Sequence, residues 1–148
     1  MKKEFFFSGK KAEFTFEINP EYAKAKNLDP HYTFKVTKHI TEDQPPRELH
    51  FVKLRGNEND NKYHYFGMLN KEEGKIYMTK ASTLAQDCLF VRLVNRAFQR
   101  IWENNTQVMD NAGFHLHHAG KCGRCGRKLT TPRSIETGLG PECEKMVG

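Results

Sequence analysis

The sequence has no long uninterrupted run of apolar residues, which argues against a membrane-spanning protein. The aromatic run Phe5 to Phe7 is too short for the hydrophobic region of a secretory signal, and charged residues flank it on both sides. Internal repeats and low-complexity tracts are absent as well, so nothing indicates a repeat or fibrous protein. We therefore expect a protein of a reducing, cytoplasmic compartment.

Motifs of the common enzyme classes are missing too. The chain has no phosphate-binding glycine loop, dinucleotide-binding fingerprint, His-Glu-x-x-His motif or nucleophile elbow. Zinc deaminases need His-x-Glu followed by Pro-Cys-x-x-Cys, whereas Lys121 precedes the first cysteine of the pair here and no His-x-Glu occurs. We expect a protein without catalytic activity, with a metal-dependent hydrolase as a minor alternative.

Three of the four cysteines lie together near the C-terminus, at Cys122, Cys125 and Cys143. The Cys-x-x-Cys step lets one tight turn direct two sulfurs to one point, and Gly126 suits the positive φ that such a turn often needs. In a reducing compartment this spacing favours a metal over a disulfide. Because zinc takes thiolate and imidazole ligands in a tetrahedron, we predict one structural Zn²⁺. A redox Cys-x-x-Cys and an open catalytic zinc are the alternatives.

The segment between Cys125 and Cys143 carries two helix signals. Thr131 before Pro132 is typical of an N-cap followed by proline at the first helical position, and Gly138 suits the end of a single turn. Pro141 then predicts the start of a second short helix. Cys143 would lie in its first turn, where free N–H groups and the helix dipole would stabilise a thiolate.

A fourth zinc ligand has four candidates, namely His115, His117, His118 and Cys88. Residues 113–118 alternate like a strand, so that Phe114, Leu116 and His118 share the inner face. His118 also lies only four residues before Cys122. We therefore prefer His118 as the fourth ligand and take Cys88, on a predicted helix, as the second choice.

The segment from His118 to Cys143 resembles a phage and bacterial family known as domain of unknown function 6011. The matching residues are His118, Gly120, Cys122, Gly123, Arg124, Cys125, Gly126, Arg127, Leu129, Thr130, Pro132, Ser134, Ile135, Gly138, Gly140, Pro141 and Cys143. The resemblance covers about a fifth of the chain, and residues 65–69 are similar to phage proteins more loosely. It implies zinc ligation and a viral origin, with the host cytoplasm as the location, but it implies no activity.

Residues 1–80 predict an antiparallel sheet. The expected strands are Phe5 to Phe7 and Phe14 to Ile18 about a turn, then segments near 32–37, 49–54, 63–69 and 75–79, with an open turn over 56–61. Apolar residues at steps of three and four predict one long helix over residues 84–104. We predict an α+β fold, an antiparallel sheet with one long helix and a C-terminal zinc knuckle. Residues 1–117 would form the sheet and helix domain, and residues 118–148 a zinc-binding module docked on it.

The formal net charge is +6, and residues 118–148 hold half of that excess in six cationic side chains against three carboxylates. A basic surface around a zinc site most often serves a polyanion, so we predict binding to DNA or RNA without base specificity. The predicted contacts are Lys121, Arg124, Arg127, Lys128 and Arg133, with a role of these charges in solubility as the alternative. A helical stripe of Arg92, Arg96 and Arg100 is either a solvated helix face, which we favour, or an extension of these contacts. The alternative is a phage protein that clamps a host polymerase, nuclease or defence complex, with the zinc module as scaffold.

Overall fold

The computed structural model describes residues 1–56 and 62–147. In chain order its elements are a 3₁₀ helix Lys3–Phe6, β1 Lys11–Glu17, α1 Pro20–Ala25, β2 His31–Ile40, β3 Glu48–Arg55, β4 Tyr63–Asn70, β5 Lys75–Tyr77, α2 Leu89–Trp102, α3 Gln107–Asn111, β6 His115–His118, α4 Pro132–Thr137 and α5 Pro141–Val147. The predicted combination of helices with an antiparallel sheet is confirmed. Residues 57–61 of the predicted open turn lie outside the described part of the chain.

The strands form one sheet in the order β5-β4-β3-β2-β1-β6, and every neighbouring pair is antiparallel. Strands β1 to β5 follow the chain across the sheet, whereas β6 returns to the far edge and pairs with β1. In that pairing Phe14 lies opposite His118. The return brings the C-terminal segment next to the beginning of the chain.

An aromatic core fills the space between the sheet and α2. Phe14 and Phe34 stack with their ring centroids 5.3 Å apart, and Phe98 of α2 lies 5.6 Å from Phe14. Buried and partly exposed residues alternate along β1 and β2, so α2 covers one sheet face and the other faces solvent. Each buried phenylalanine contributes about 1.5–3 kcal/mol through its removal from water.

The N-terminal segment is not the strand that its three phenylalanines predict. Lys3–Phe6 form a 3₁₀ helix, and both Phe5 and Phe6 are buried. Phe6 enters the sheet core with its ring centroid 4.8 Å from that of Phe98, while Phe5 packs on the C-terminal segment. A strand would point these two rings to opposite faces of one sheet, so it could not serve both contacts.

Helix α2 is the principal helix, but it is shorter than the predicted span of residues 84–104, and the other helices are shorter still. Leu84 is 38% exposed, and the segment around Gln86 is held outside the helix because the Gln86 carboxamide accepts a hydrogen bond from the Met78 N–H at 2.7 Å. The spacing of apolar residues that predicts a helix therefore extends beyond the residues that are helical. Among residues 1–56 and 62–147, no helix has both the length and the apolar content needed to cross a bilayer.

Side-chain amides close the exposed edge of β5. The Asn95 carboxamide of α2 accepts from the Ile76 N–H at 2.7 Å and donates to the Ile76 carbonyl at 3.0 Å. Gln86 donates to the same carbonyl at 3.0 Å. The backbone groups that an edge strand leaves without a partner are thus satisfied within the chain.

Candidate metal centre

Three cysteine sulfurs meet in the C-terminal segment. The sulfurs of Cys122, Cys125 and Cys143 all lie within 4.8 Å of one another, with Cys122 and Cys143 buried and Cys125 exposed. In a zinc tetrahedron with Zn–S bonds of about 2.3 Å, sulfurs lie about 3.8 Å apart. The spacing and the donor chemistry therefore fit one metal ion, and three of the four residues predicted as ligands come together.

A tight hairpin positions the first two sulfurs. The Cys122 N–H donates to the Arg127 carbonyl at 2.8 Å, and the Gly126 N–H donates to the Cys122 carbonyl at 2.9 Å. Gly126 has φ +79°, which confirms the expected left-handed conformation. A β-bridge between Lys121 and Lys128 closes the hairpin.

The third sulfur is positioned by two short helices, as the local signals predict. Thr131 caps α4 in a capping box with Ser134, and Gly138 ends that helix at φ +80°. Helix α5 then begins at Pro141, which places the buried Cys143 in its first turn. Leu129 and Leu139 are buried beside the buried cysteines in a small apolar cluster, separate from the sheet core.

Hydrogen bonding distinguishes the two buried thiols. Burial by itself would raise the pKa of Cys122, but backbone N–H groups of Gly140, Cys125 and Arg124 point at its sulfur and lower the pKa to about 7. Burial raises the pKa of Cys143, and the Arg124 guanidinium at 3.6 Å opposes this only in part. Without a metal ion, Cys122 is therefore the more readily ionised of these two thiols, because the start of α5 does not offset the effect of burial on the pKa of Cys143.

His118, the predicted fourth ligand, is not part of the sulfur group. Its Nδ1 accepts a hydrogen bond from the Gly120 N–H at 2.9 Å, and its Nε2 donates to the Ile135 carbonyl. Both ring nitrogens are thus engaged, and the ring also packs 5.9 Å from that of Phe5. The imidazole joins β6 to α4 instead of pointing at the sulfurs.

The other candidates for the fourth ligand also lie elsewhere. His115 pairs with Asp110 of α3, and His117 pairs with Glu17 of β1, each at 2.9 Å. The hydrogen bond from His117 lowers the pKa of Glu17. Cys88 is the N-cap residue of α2. No fourth His, Cys, Asp or Glu joins the group within residues 1–56 and 62–147.

The N-terminal segment docks on the Cys-x-x-Cys hairpin of residues 121–128, a contact that sequence reasoning missed. A Cβ atom added to Gly9 would lie 2.3 Å from the Gly123 carbonyl oxygen, and one added to Gly123 would lie 2.2 Å from the Phe5 carbonyl oxygen. The Lys2 N–H donates to the Thr137 carbonyl at 3.0 Å. The two segments touch through backbone atoms, and the glycines at both contact points, Gly9 and Gly123, are the feature of the sequence that could have predicted this contact.

The predicted nucleic-acid contacts fall into two groups. Arg92, Arg96, Lys121, Arg127 and Lys128 are exposed and have no ion-pair partner within the described ranges 1–56 and 62–147. The others are engaged: Arg124 donates to the Cys143 sulfur, Arg133 pairs with Glu144, and Arg100 pairs with Glu103 at 3.2 Å. Lys121 and Lys128 lie side by side in the hairpin bridge.

The C-terminal segment matches a known protein family. No curated protein and no solved structure matches the chain. Residues 117–148 match the family model described as Family of unknown function (DUF6011), which confirms the resemblance seen in the sequence.

Proposed function

We propose that residues 118–148 form a metal-dependent module, distinct from the sheet and helix domain of residues 1–117, in which Zn²⁺ is held by Cys122, Cys125 and Cys143. The converging sulfurs and their small separate apolar cluster support this proposal. A segment with so small an apolar cluster is not expected to fold on its own, but binding of a structural zinc ion supplies on the order of 10 kcal/mol of folding free energy. His118 could bind the ion only by giving up its hydrogen bonds to Gly120 and Ile135.

Metal analysis of purified native protein tests this ligand set. We expect about one zinc per wild-type chain, loss of zinc in Cys143→Ser, and retention in His118→Asn. The Co²⁺-loaded protein adds an absorption readout of thiolate ligation. Wild-type protein without zinc, or full zinc retention in Cys143→Ser, would contradict the three-sulfur site.

The module displays an uncompensated positive surface, and we propose that it binds the phosphates of a nucleic acid. Lys121 and Lys128 lie opposite each other in the hairpin bridge, and neither these lysines nor the adjacent exposed Arg127 has an acidic partner in the described chain. Like charges directly opposite one another are destabilising. Anionic phosphates would relieve this repulsion, and a metal-held hairpin would present the cations rigidly. We call Lys121, Arg127 and Lys128 the hairpin cluster, and it is the observation on which the proposal rests.

We propose that helix α2 extends the same function. Arg92 and Arg96 are exposed without partners in the described residues, and their spacing of four places them on one helix face. Arg100 completes the stripe but pairs with Glu103. We assign the hairpin the main contact and the stripe a secondary one.

Titration of labelled duplex DNA at several salt concentrations tests the phosphate contacts. Arg127→Glu with Lys128→Glu is compared with Lys24→Glu with Lys80→Glu, which changes the net charge equally at exposed lysines elsewhere. If both hairpin residues contact phosphates, the negative slope of log affinity against log salt should become shallower by about 1.8 in the hairpin variant, with little change in the control. Equal effects of both variants, or no binding at low salt, would remove the proposal.

A protein partner is the second candidate, in particular a host polymerase, nuclease or defence complex if the chain comes from a phage. Two exposed apolar residues favour it: Ile135 on α4 is 51% exposed and Met146 on α5 is 69% exposed. Pull-down from nuclease-treated host extract separates the two candidates. Retention of one host protein, lost in Ile135→Ser with Met146→Ser, would favour the protein partner.

A further inference from the structure

The sheet face opposite α2 carries aromatic rings that the buried core does not use. Along β3 the buried His50 and Val52 alternate with the partly exposed Phe51 and Lys53. In β4 Tyr65 is paired with Lys53 and Tyr63 with Arg55, so all of these lie on the solvent side. We call Phe51, Tyr63, Tyr65, Lys35 and Lys53 together the aromatic face.

The rings of the aromatic face are close enough to form one surface. The Phe51 and Tyr65 centroids lie 6.1 Å apart, and Tyr63 is two residues from Tyr65 on the same strand. The Lys35 ammonium lies 4.2 Å from the centre of the Tyr63 ring. Aromatic side chains and cations therefore lie next to one another on neighbouring strands, as Lys53 does beside Tyr65.

The charge of this face is positive. Among the described residues, the outward positions of β2, β3 and the first half of β4 include the cations Lys35 and Lys53 and no carboxylate. Lys35 and Lys53 are direct cross-strand neighbours, which repel each other. Glu13 of β1 lies on the other side of Lys35 and is the nearest acidic position in the register. An anion with flat apolar groups fits this combination.

We propose that the aromatic face binds single-stranded nucleic acid, with bases stacked on Phe51, Tyr63 and Tyr65 and phosphates near Lys35 and Lys53. This inference rests on the proposed nucleic-acid function and adds a second surface and a strand preference to it. Unpaired bases offer their faces to aromatic side chains, whereas the bases of a duplex are already stacked on one another. The hairpin cluster contacts only phosphates and therefore serves single strands and duplexes alike.

Fluorescence anisotropy with labelled oligothymidylate, and with a duplex of equal phosphate number, tests the proposal on the full zinc-loaded chain. Phe51→Ala should weaken single-strand binding at least about fivefold and change duplex affinity little. Lys53→Glu is the second variant, because it reverses a surface charge without removing an aromatic ring. Lys24→Glu on α1 is its matched control, and circular dichroism checks that each variant is folded.

Three outcomes are distinguishable. Preference for the single strand, lost in both Phe51→Ala and Lys53→Glu but not in Lys24→Glu, would support the proposal. Equal binding of single strand and duplex, unaffected by either variant, would overturn it while leaving the phosphate-binding hairpin intact. Absence of binding to both nucleic acids at low salt would overturn the proposed function and this inference together.

Discussion

Gly123 lies where the Cys-x-x-Cys hairpin meets the N-terminal segment, and its replacement by alanine tests whether this contact stabilises the packing of the C-terminal segment on the rest of the chain. The added Cβ would lie 2.2 Å from the Phe5 carbonyl oxygen, whereas real Cβ atoms essentially never come closer than 3.0 Å. The hairpin and the 3₁₀ helix would have to separate by at least the 0.8 Å between those values. Because the obstacle is backbone, no side-chain rotation relieves the overlap.

Overpacking of this kind costs about 1–3 kcal/mol, and the rigid backbone obstacle places Gly123→Ala near the upper limit. In a chain of 148 residues, about 3 kcal/mol corresponds to a lower unfolding temperature by about 6–12 °C. Gly140→Ala is the matched control inside the same module, because a Cβ there has no atom within 4 Å and its φ is not positive. Gly9→Ala, whose Cβ would lie 2.3 Å from the Gly123 carbonyl oxygen, should repeat the effect from the other side.

Calorimetry of the zinc-loaded variants measures the unfolding temperatures, and the rate of zinc release to a chelator reports on the module. We expect Gly123→Ala and Gly9→Ala to unfold earlier and release zinc faster than wild type, with Gly140→Ala close to wild type. If Gly123→Ala matched Gly140→Ala in both measurements, the docking contact would contribute nothing to stability and the reasoning would be refuted.

Two further predictions concern the sheet domain. Burial lowers the pKa of His50 below its ordinary value of 6.5. Glu48 lies 3.0 Å from the His50 Nε2 atom, but it forms no hydrogen bond of normal geometry with it and offsets the effect of burial only in part. Below pH 6.5 the unfolded chain therefore binds a proton at His50 that the folded chain does not bind. Stability should fall as pH drops below 6.5, by at most about 1.4 kcal/mol per pH unit, and denaturant titrations of His50→Leu should lack this component. Asn95→Ala removes two hydrogen bonds to Ile76 and should cost about 2 kcal/mol in the same assay, whereas a loss below about 0.5 kcal/mol would mean that water replaces them.

Local sequence signals predicted much of the candidate metal centre. The Cys-x-x-Cys turn, the cap at Thr131 and the start of α5 at Pro141 depend on residues a few positions apart, so the sequence contains what they need. The sheet was predictable for a similar reason, because alternation along β1 and β2 follows from burial of one face. The boundaries of α2 were not predictable, because the Gln86 side chain hydrogen-bonds to Ile76 of β5 and to Met78, and this keeps the segment around Gln86 outside the helix.

The sequence by itself determined which three cysteines are the candidate metal ligands, where the short helices next to them begin and end, and which residues face each side of the sheet. The spacing of residues along the chain and the alternation of side chains decide these features locally. Tertiary structure alone decided that Phe5 lies in a 3₁₀ helix and packs on the hairpin, and that His118 hydrogen-bonds to the Ile135 carbonyl instead of joining the sulfurs. Both outcomes depend on which distant backbone atoms come within reach. That is settled only when β6 pairs with β1 and brings the two ends of the chain together.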